Sequence, residues 1–181
     1  MVQDFLNTKA IAEHPDLLAD HTLANAWASS AANAWSDTRG RESQPPPVLT
    51  ASDVGKLRAL RAALAGLVGD DGDVSPDLVC APATFELTES GDVRLTPTGS
   101  GWRWLASALW GEILLSQQAG TWRRLKQCHN PHCRSTFYDR SKNNSGVWHS
   151  IKVCGNAANL RASRARRRRS HDEADHSPPT S

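Results

Sequence analysis

Three of the four cysteines in this chain fall between positions 128 and 154, and a histidine at 149 stands among them. Cys128 and Cys133 form a C-x4-C pair, and His149 and Cys154 form an H-x4-C pair further on. Thiolate and imidazole are the soft donors that zinc takes in closed tetrahedral sites, as two close pairs joined by a longer loop. Asn130 and Pro131 lie between the first two sulfurs, where a tight turn must bring both onto one ion. The chemistry predicted is a structural Zn2+ held by Cys128, Cys133, His149 and Cys154. His129 and His132 lie in the first loop and also come within reach of an ion; His149 is preferred because it completes a second pair. Cys80 follows an apolar pair far upstream and reads as a core residue.

Charge is the second feature. From Arg123 to Arg169 there are 13 Lys and Arg against one acid, Asp139, whereas residues 1–122 carry 8 against 15. The whole-chain net charge of +2 therefore hides a basic end on an acidic body. Such asymmetry suits a polyanion such as DNA. Arg161, Arg164 and Arg168 fall at i, i+3 and i+7, so their guanidiniums share one helix face, with Arg166 and Arg167 beside them. Arg140, Lys142, Lys152 and Asn156 are further candidates for nucleic-acid contact, none assignable to a base. The acids at 172–175 can moderate the arginine run only weakly through screened solvent.

The segment resembles the CGNR-type zinc finger. The residues that carry the likeness are Cys128, Asn130, Pro131 and Cys133; Phe137, Asp139, Arg140, Ser141 and Asn143; Trp148-His149-Ser150; and Cys154-Gly155-Asn156. The family's third cysteine is His149 here, which makes the site Cys3His, and its name-giving arginine is Ala157, which removes one cation. The N-terminal part resembles the stress-induced transcription regulator domain (ABATE-like) that precedes such fingers, through Asp4-Phe5, Asn7-Thr8 and Leu57-Arg58-Ala59-Leu60. Together the resemblances imply a DNA-binding regulator, with a small-molecule effector at the N-terminal domain as a further partner.

The elements that must position these residues follow from pattern. The fold class expected is α+β: a mostly helical N-terminal domain over 1–120 with a hairpin, a treble-clef-like finger over 121–169, and a disordered tail over 170–181. Residues 1–8 read as a short strand, His14 to Ser36 as a helix, and Gly40 to Pro47 as a proline-rich linker. Thr50 and Asp53 form a capping box opening a helix with Val54, Leu57, Leu60, Leu64, Leu67 and Val68 on one stripe, ended by Gly69 to Pro76. Ala83–Leu87 and Val93–Thr96 make a hairpin around Ser90-Gly91-Asp92. A helix runs from Ser100 to about Gln118. In the finger, Thr121–Gln127 and Arg134–Asp139 read as strands, Ser141–Gly146 as a turn, and His149 as preceding a helix that has Cys154 in its first turn.

Three functions compete. A DNA-binding transcriptional regulator leads. An RNA-binding protein would use Trp148, Phe137 and Tyr138 to stack unpaired bases. A metalloenzyme would leave one zinc position to water, with Asp139 or a histidine as base. No paired carboxylates, Ser-His-Asp set or phosphate loop marks the N-terminal part, so no enzyme is expected there. With no signal-peptide core and no apolar run near the roughly 20 residues of a membrane span, a cytoplasmic protein is expected.

Overall fold

The computed structural model describes residues 1–11, 14–40, 46–69 and 80–175; most of the linker expected at 40–47 and of the helix stop at 69–76 lies outside them. For residues 168–175 only the backbone is described. The chain is mixed α and β, with helices and two short antiparallel hairpins.

The N-terminal stretch is a helix, α1 (Val2–Leu6), and not the strand its short mixed pattern suggests. Val2, Phe5 and Leu6 recur at i, i+3 and i+4, and a helical turn sends Phe5 and Leu6 together into the core. Helix α2 (His21–Thr38) begins later than predicted, because the Asp20 carboxylate accepts the N–H groups of Thr22 and Leu23 and caps it there. Leu18, predicted within that helix, lies before it and is fully buried. Ala24, Ala28 and Ala32 line the inner face of α2.

Helix α3 (Ala51–Val68) opens with the expected capping box: Thr50 accepts from Asp53 N–H, and the Asp53 side chain accepts from Thr50 N–H. Its stripe buries Val54, Leu57, Leu60 and Leu64, while Leu67 is left exposed at the end. Strands β1 (Ala83–Leu87) and β2 (Val93–Pro97) pair antiparallel in the predicted place, Phe85 opposite Leu95. Helix α4 (Trp102–Gln118) starts from Gly101, whose φ of 56° and close approach to the Asp53 carboxylate both require glycine. Cys80 is exposed, which corrects its reading as a core residue; the apolar pair before it drew that inference, yet the core is filled from α1 to α4.

The loop between α1 and α2 is fastened by two arginines of α3. Arg58 donates to the carbonyls of Leu18 and Ala19, and Arg61 grips the Asp16 carboxylate through two nitrogens at 2.7 and 2.8 Å while also bonding Thr8 Oγ1. Arg61 and the Leu18 N–H hold the Asp16 carboxyl below its ordinary value against the opposing pull of burial. A carboxyl lowered by folding stabilises the native state above its unfolded pKa of about 3.9, and that contribution disappears as pH falls. Asp16→Asn is accordingly expected to cost about 2 kcal/mol at pH 6. The difference from wild type should shrink as pH falls from about 5 to about 3, as read from urea midpoints across that range.

Two asparagine amides stand in for missing strand partners. Asn25 exchanges both bonds with the backbone of Leu49, and Asn7 does the same with Thr136, donating to its carbonyl and accepting from its N–H, each at 2.8 Å. Thr136 belongs to the C-terminal module, so Asn7 ties the first helix to it. Trp122 and Leu125 add apolar packing across the same seam. Asn7→Ala is expected to lower stability by about 1–2 kcal/mol and to speed metal loss to a competing chelator, a combination that a purely local defect would not give.

Candidate metal centre and basic face

Beyond α4 a single 3-10 turn (Trp122–Arg124) precedes β3 (Leu125–Gln127), so the strand expected from Thr121 is shorter than predicted. It pairs antiparallel with β4 (Thr136–Tyr138), Leu125 opposite Tyr138. Cys128 N–H continues the ladder to Ser135 O at 2.8 Å and places the Cys128 sulfur in the knuckle. The knuckle closes by Cys133 N–H donating to Asn130 O, and Arg134 takes the left-handed φ of 53° that swings the chain back into β4. Arg134→Gly should therefore relieve about 1 kcal/mol of backbone strain.

The turn at 141–147 is fixed by Asp139, which is 4% exposed. Lys126 Nζ donates to its Oδ2 at 2.8 Å, Gly146 N–H to the same oxygen at 2.7 Å, and Ser141 N–H to Oδ1 at 2.9 Å. Lys126 beside it and these backbone donors hold the carboxyl far below the usual carboxylate range. With Lys126, Ser141 and Gly146 donating to its two oxygens, Asp139 braces the turn.

His149 precedes the last helix, as predicted. Cys154 lies in a π-helical turn (Ile151–Gly155) capped by Ser150, which leads into α5 (Asn156–Asp175). The wider turn keeps His149 and Cys154 together although five positions separate them. A side chain at Gly155 would press on Trp148 at 3.3 Å, which accounts for the glycine after the last ligand. Helix α5 continues to Asp175, into the stretch read as a disordered tail; 176–181 lie outside the described residues.

The ligand atoms of Cys128, Cys133, His149 and Cys154 lie within 4.8 Å of one another. His149 presents Nδ1, at 3.3 Å from Cys133 Sγ and 3.5 Å from Cys154 Sγ. A tetrahedral zinc with ordinary bond lengths separates nitrogen and sulfur ligands by about 3.6 Å. The donor set and its spacing thus fit that metal. His129 and His132 are not in the cluster: His129 stands edge-on to the Trp148 ring at 6.1 Å, and His132 is exposed.

The thiols differ. Burial pushes the Cys154 thiol up, and the neighbouring cysteines add to it against the Asn130 donation. Burial also acts on Cys133, but there the Ser135 hydroxyl and N–H, with the adjacent thiols, outweigh it and hold the thiol below its ordinary value. Thiols bind a metal as thiolates, so metal binding expels protons from the cluster.

Asn130 does more than form the turn between the two cysteines. It is 7% exposed, its Nδ2 donates to Cys154 Sγ at 3.2 Å, and its Oδ1 accepts from Arg161 at 2.9 Å. This amide joins a metal ligand to helix α5, a support of the kind that orients ligands in metal sites. Its signal in the sequence was an amide placed between two ligand cysteines.

Of the basic candidates, Arg140, Lys142, Lys152, Arg164, Arg166 and Arg167 are exposed, as is Asn156. Arg161 is exposed too, yet one nitrogen is turned inward onto Asn130. Arg168 lies on the same helix where only the backbone is described.

Two strands, a knuckle and a following helix around four Cys and His ligands define a treble-clef-like zinc finger. Residues 124–167 match the family model of the CGNR zinc finger, and this segment of the chain is a CGNR zinc finger. No curated protein matches the chain. Among the described residues, no helix is long and apolar enough to cross a membrane.

Proposed function

We propose that the protein is a zinc-dependent DNA-binding transcriptional regulator, its finger folded by one structural Zn2+ and its N-terminal domain sensing a signal of its own, in keeping with the resemblance of that domain to stress-induced regulators. The observation that carries the reading is the charge of the finger. Its one acid, Asp139, is neutralised by Lys126 and backbone N–H groups. Against that single acid between 123 and 169, the exposed side chains of the finger include Arg140, Lys142, Lys152, Arg164, Arg166 and Arg167. Arginine forks match phosphate oxygens and guanine edges, and phosphate contacts supply most of the affinity of such modules.

The metal has a structural role in this reading and the protein is not an enzyme: all four positions have protein donors. The test is a mobility shift with zinc-loaded protein and duplex DNA. Retention that weakens with salt and is abolished by Cys133→Ser supports the proposal; its absence from the zinc-loaded wild type sinks it. The same assay with structured RNA addresses the competing partner, and preference for RNA at matched salt would displace DNA from the proposal.

A further inference from the structure

Beside the metal ligands a cleft of about 570 Å3 opens between β4, the turn at 141–147 and the start of the last helix. That volume lies within the roughly 300–1,000 Å3 of small-ligand sites. Tyr138, Val147, Trp148 and Ile151 form its apolar walls, and Arg140 and Lys152 stand on its rim. Folding leaves Ile151 73% exposed, and Tyr138 and Val147 partly so at 41% and 38%. The side chain of Ile151 in particular is not used in the finger's interior. Asp139 also lines the cleft, but Lys126 and two backbone N–H groups take up its charge, so no unpaired carboxylate repels a phosphate there.

Aromatic and aliphatic walls under a cationic rim are what an unstacked nucleobase requires: a flat apolar surface for the ring and positive charge for the phosphates on either side. A base inside an intact duplex has both faces covered by its neighbours and cannot enter. We propose that this cleft receives one unpaired base of the DNA that the arginines of α5 hold by its phosphates, with Tyr138 and Ile151 against the base and Arg140 and Lys152 on the flanking phosphates. The proposal rests on the DNA-binding reading above and adds that a fully paired duplex is an incomplete ligand.

The test compares fluorescence anisotropy of the zinc-loaded full chain with a labelled duplex and with the same duplex carrying a single-thymine bulge, at one fixed salt concentration. The bulged duplex should bind roughly tenfold more tightly, the size of one base–aromatic stack. That ratio should approach one in Tyr138→Ala and in Ile151→Ser, and return in Tyr138→Phe. Tyr138 also borders the seam with Val2 and Trp122, so Ile151→Ser, at a largely exposed position, is the variant in which folding is not at issue. Arg164→Gln with Arg166→Gln should weaken both complexes and leave the ratio in place. Equal affinity of the wild type for both duplexes, or a ratio that persists in Ile151→Ser, overturns the cleft while the DNA-binding reading stands. Absence of binding to either duplex overturns both, and tighter binding of a bulged RNA overturns the assignment to DNA.

Discussion

Removing the metal with a strong chelator is expected to unfold residues 124–167 while the helical core around Phe5, Leu57, Leu64 and Leu109 persists. The finger has little else to hold it. Its strands are three residues each, and among its residues few besides Cys128, Cys154, Asn130, Thr136 and Asp139 are buried. In modules this small the metal-binding energy is the folding energy, about 10–16 kcal/mol at neutral pH. Circular dichroism should show partial loss of helix, from α5, and the near-ultraviolet signal of Trp148 should collapse while that of Trp35 and Trp104, packed edge to face in the core, is retained. Cys133→Ser should reproduce the chelated state. A chelated protein with an unchanged spectrum would show that the finger stands without its ion.

The second large effect concerns salt. If the six exposed cations at 140, 142, 152, 164, 166 and 167 each neutralise one phosphate, log affinity should fall against log salt with a slope of about −5. Affinity for duplex DNA should then drop about a thousandfold between 50 and 200 mM salt. Replacing Arg164, Arg166 and Arg167 together by glutamine should reduce the slope by about 3. Titrations at several salt concentrations measure both quantities, and a slope near zero would remove phosphate contact as the source of affinity.

The Cys/His cluster was legible in the sequence because its donors are scarce residue types at local spacings, and Cys128, Cys133, His149 and Cys154 do come together. Helix α3 was legible for a similar reason, since Thr50 and Asp53 write its cap within four residues, and the 83–97 hairpin is announced by Ser90-Gly91-Asp92. What failed was long-range or too short to carry a period. Five residues of α1 fit a strand as readily as a helix until the core claims Phe5 and Leu6. Cys80 has no neighbour in sequence that tells buried from exposed. The bond between Asn7 and Thr136 spans 129 positions and leaves no trace in composition or pattern. Helical spacing placed Arg161 on a face with Arg164, but only the fold reveals Asn130 opposite it. Of the residues that suggested a regulator domain, Phe5 is a core residue, Asn7 a clamp, Thr8 a buried hydroxyl and Arg58 a loop fastener, roles that the motif did not reveal.

Helix α1 is a turn and a half long, too brief to persist by itself. Its order is borrowed from the partners it meets, and at its C-terminal end the lender is Thr136, inside the segment that an ion organises. The two bonds to Thr136 accordingly couple the C-terminal end of α1 to the zinc finger, while Phe5 stays packed in the helical core. By reciprocity, whatever stiffens the first seven residues tightens the hold on the ion, and occupancy by the ion is felt at the opposite terminus.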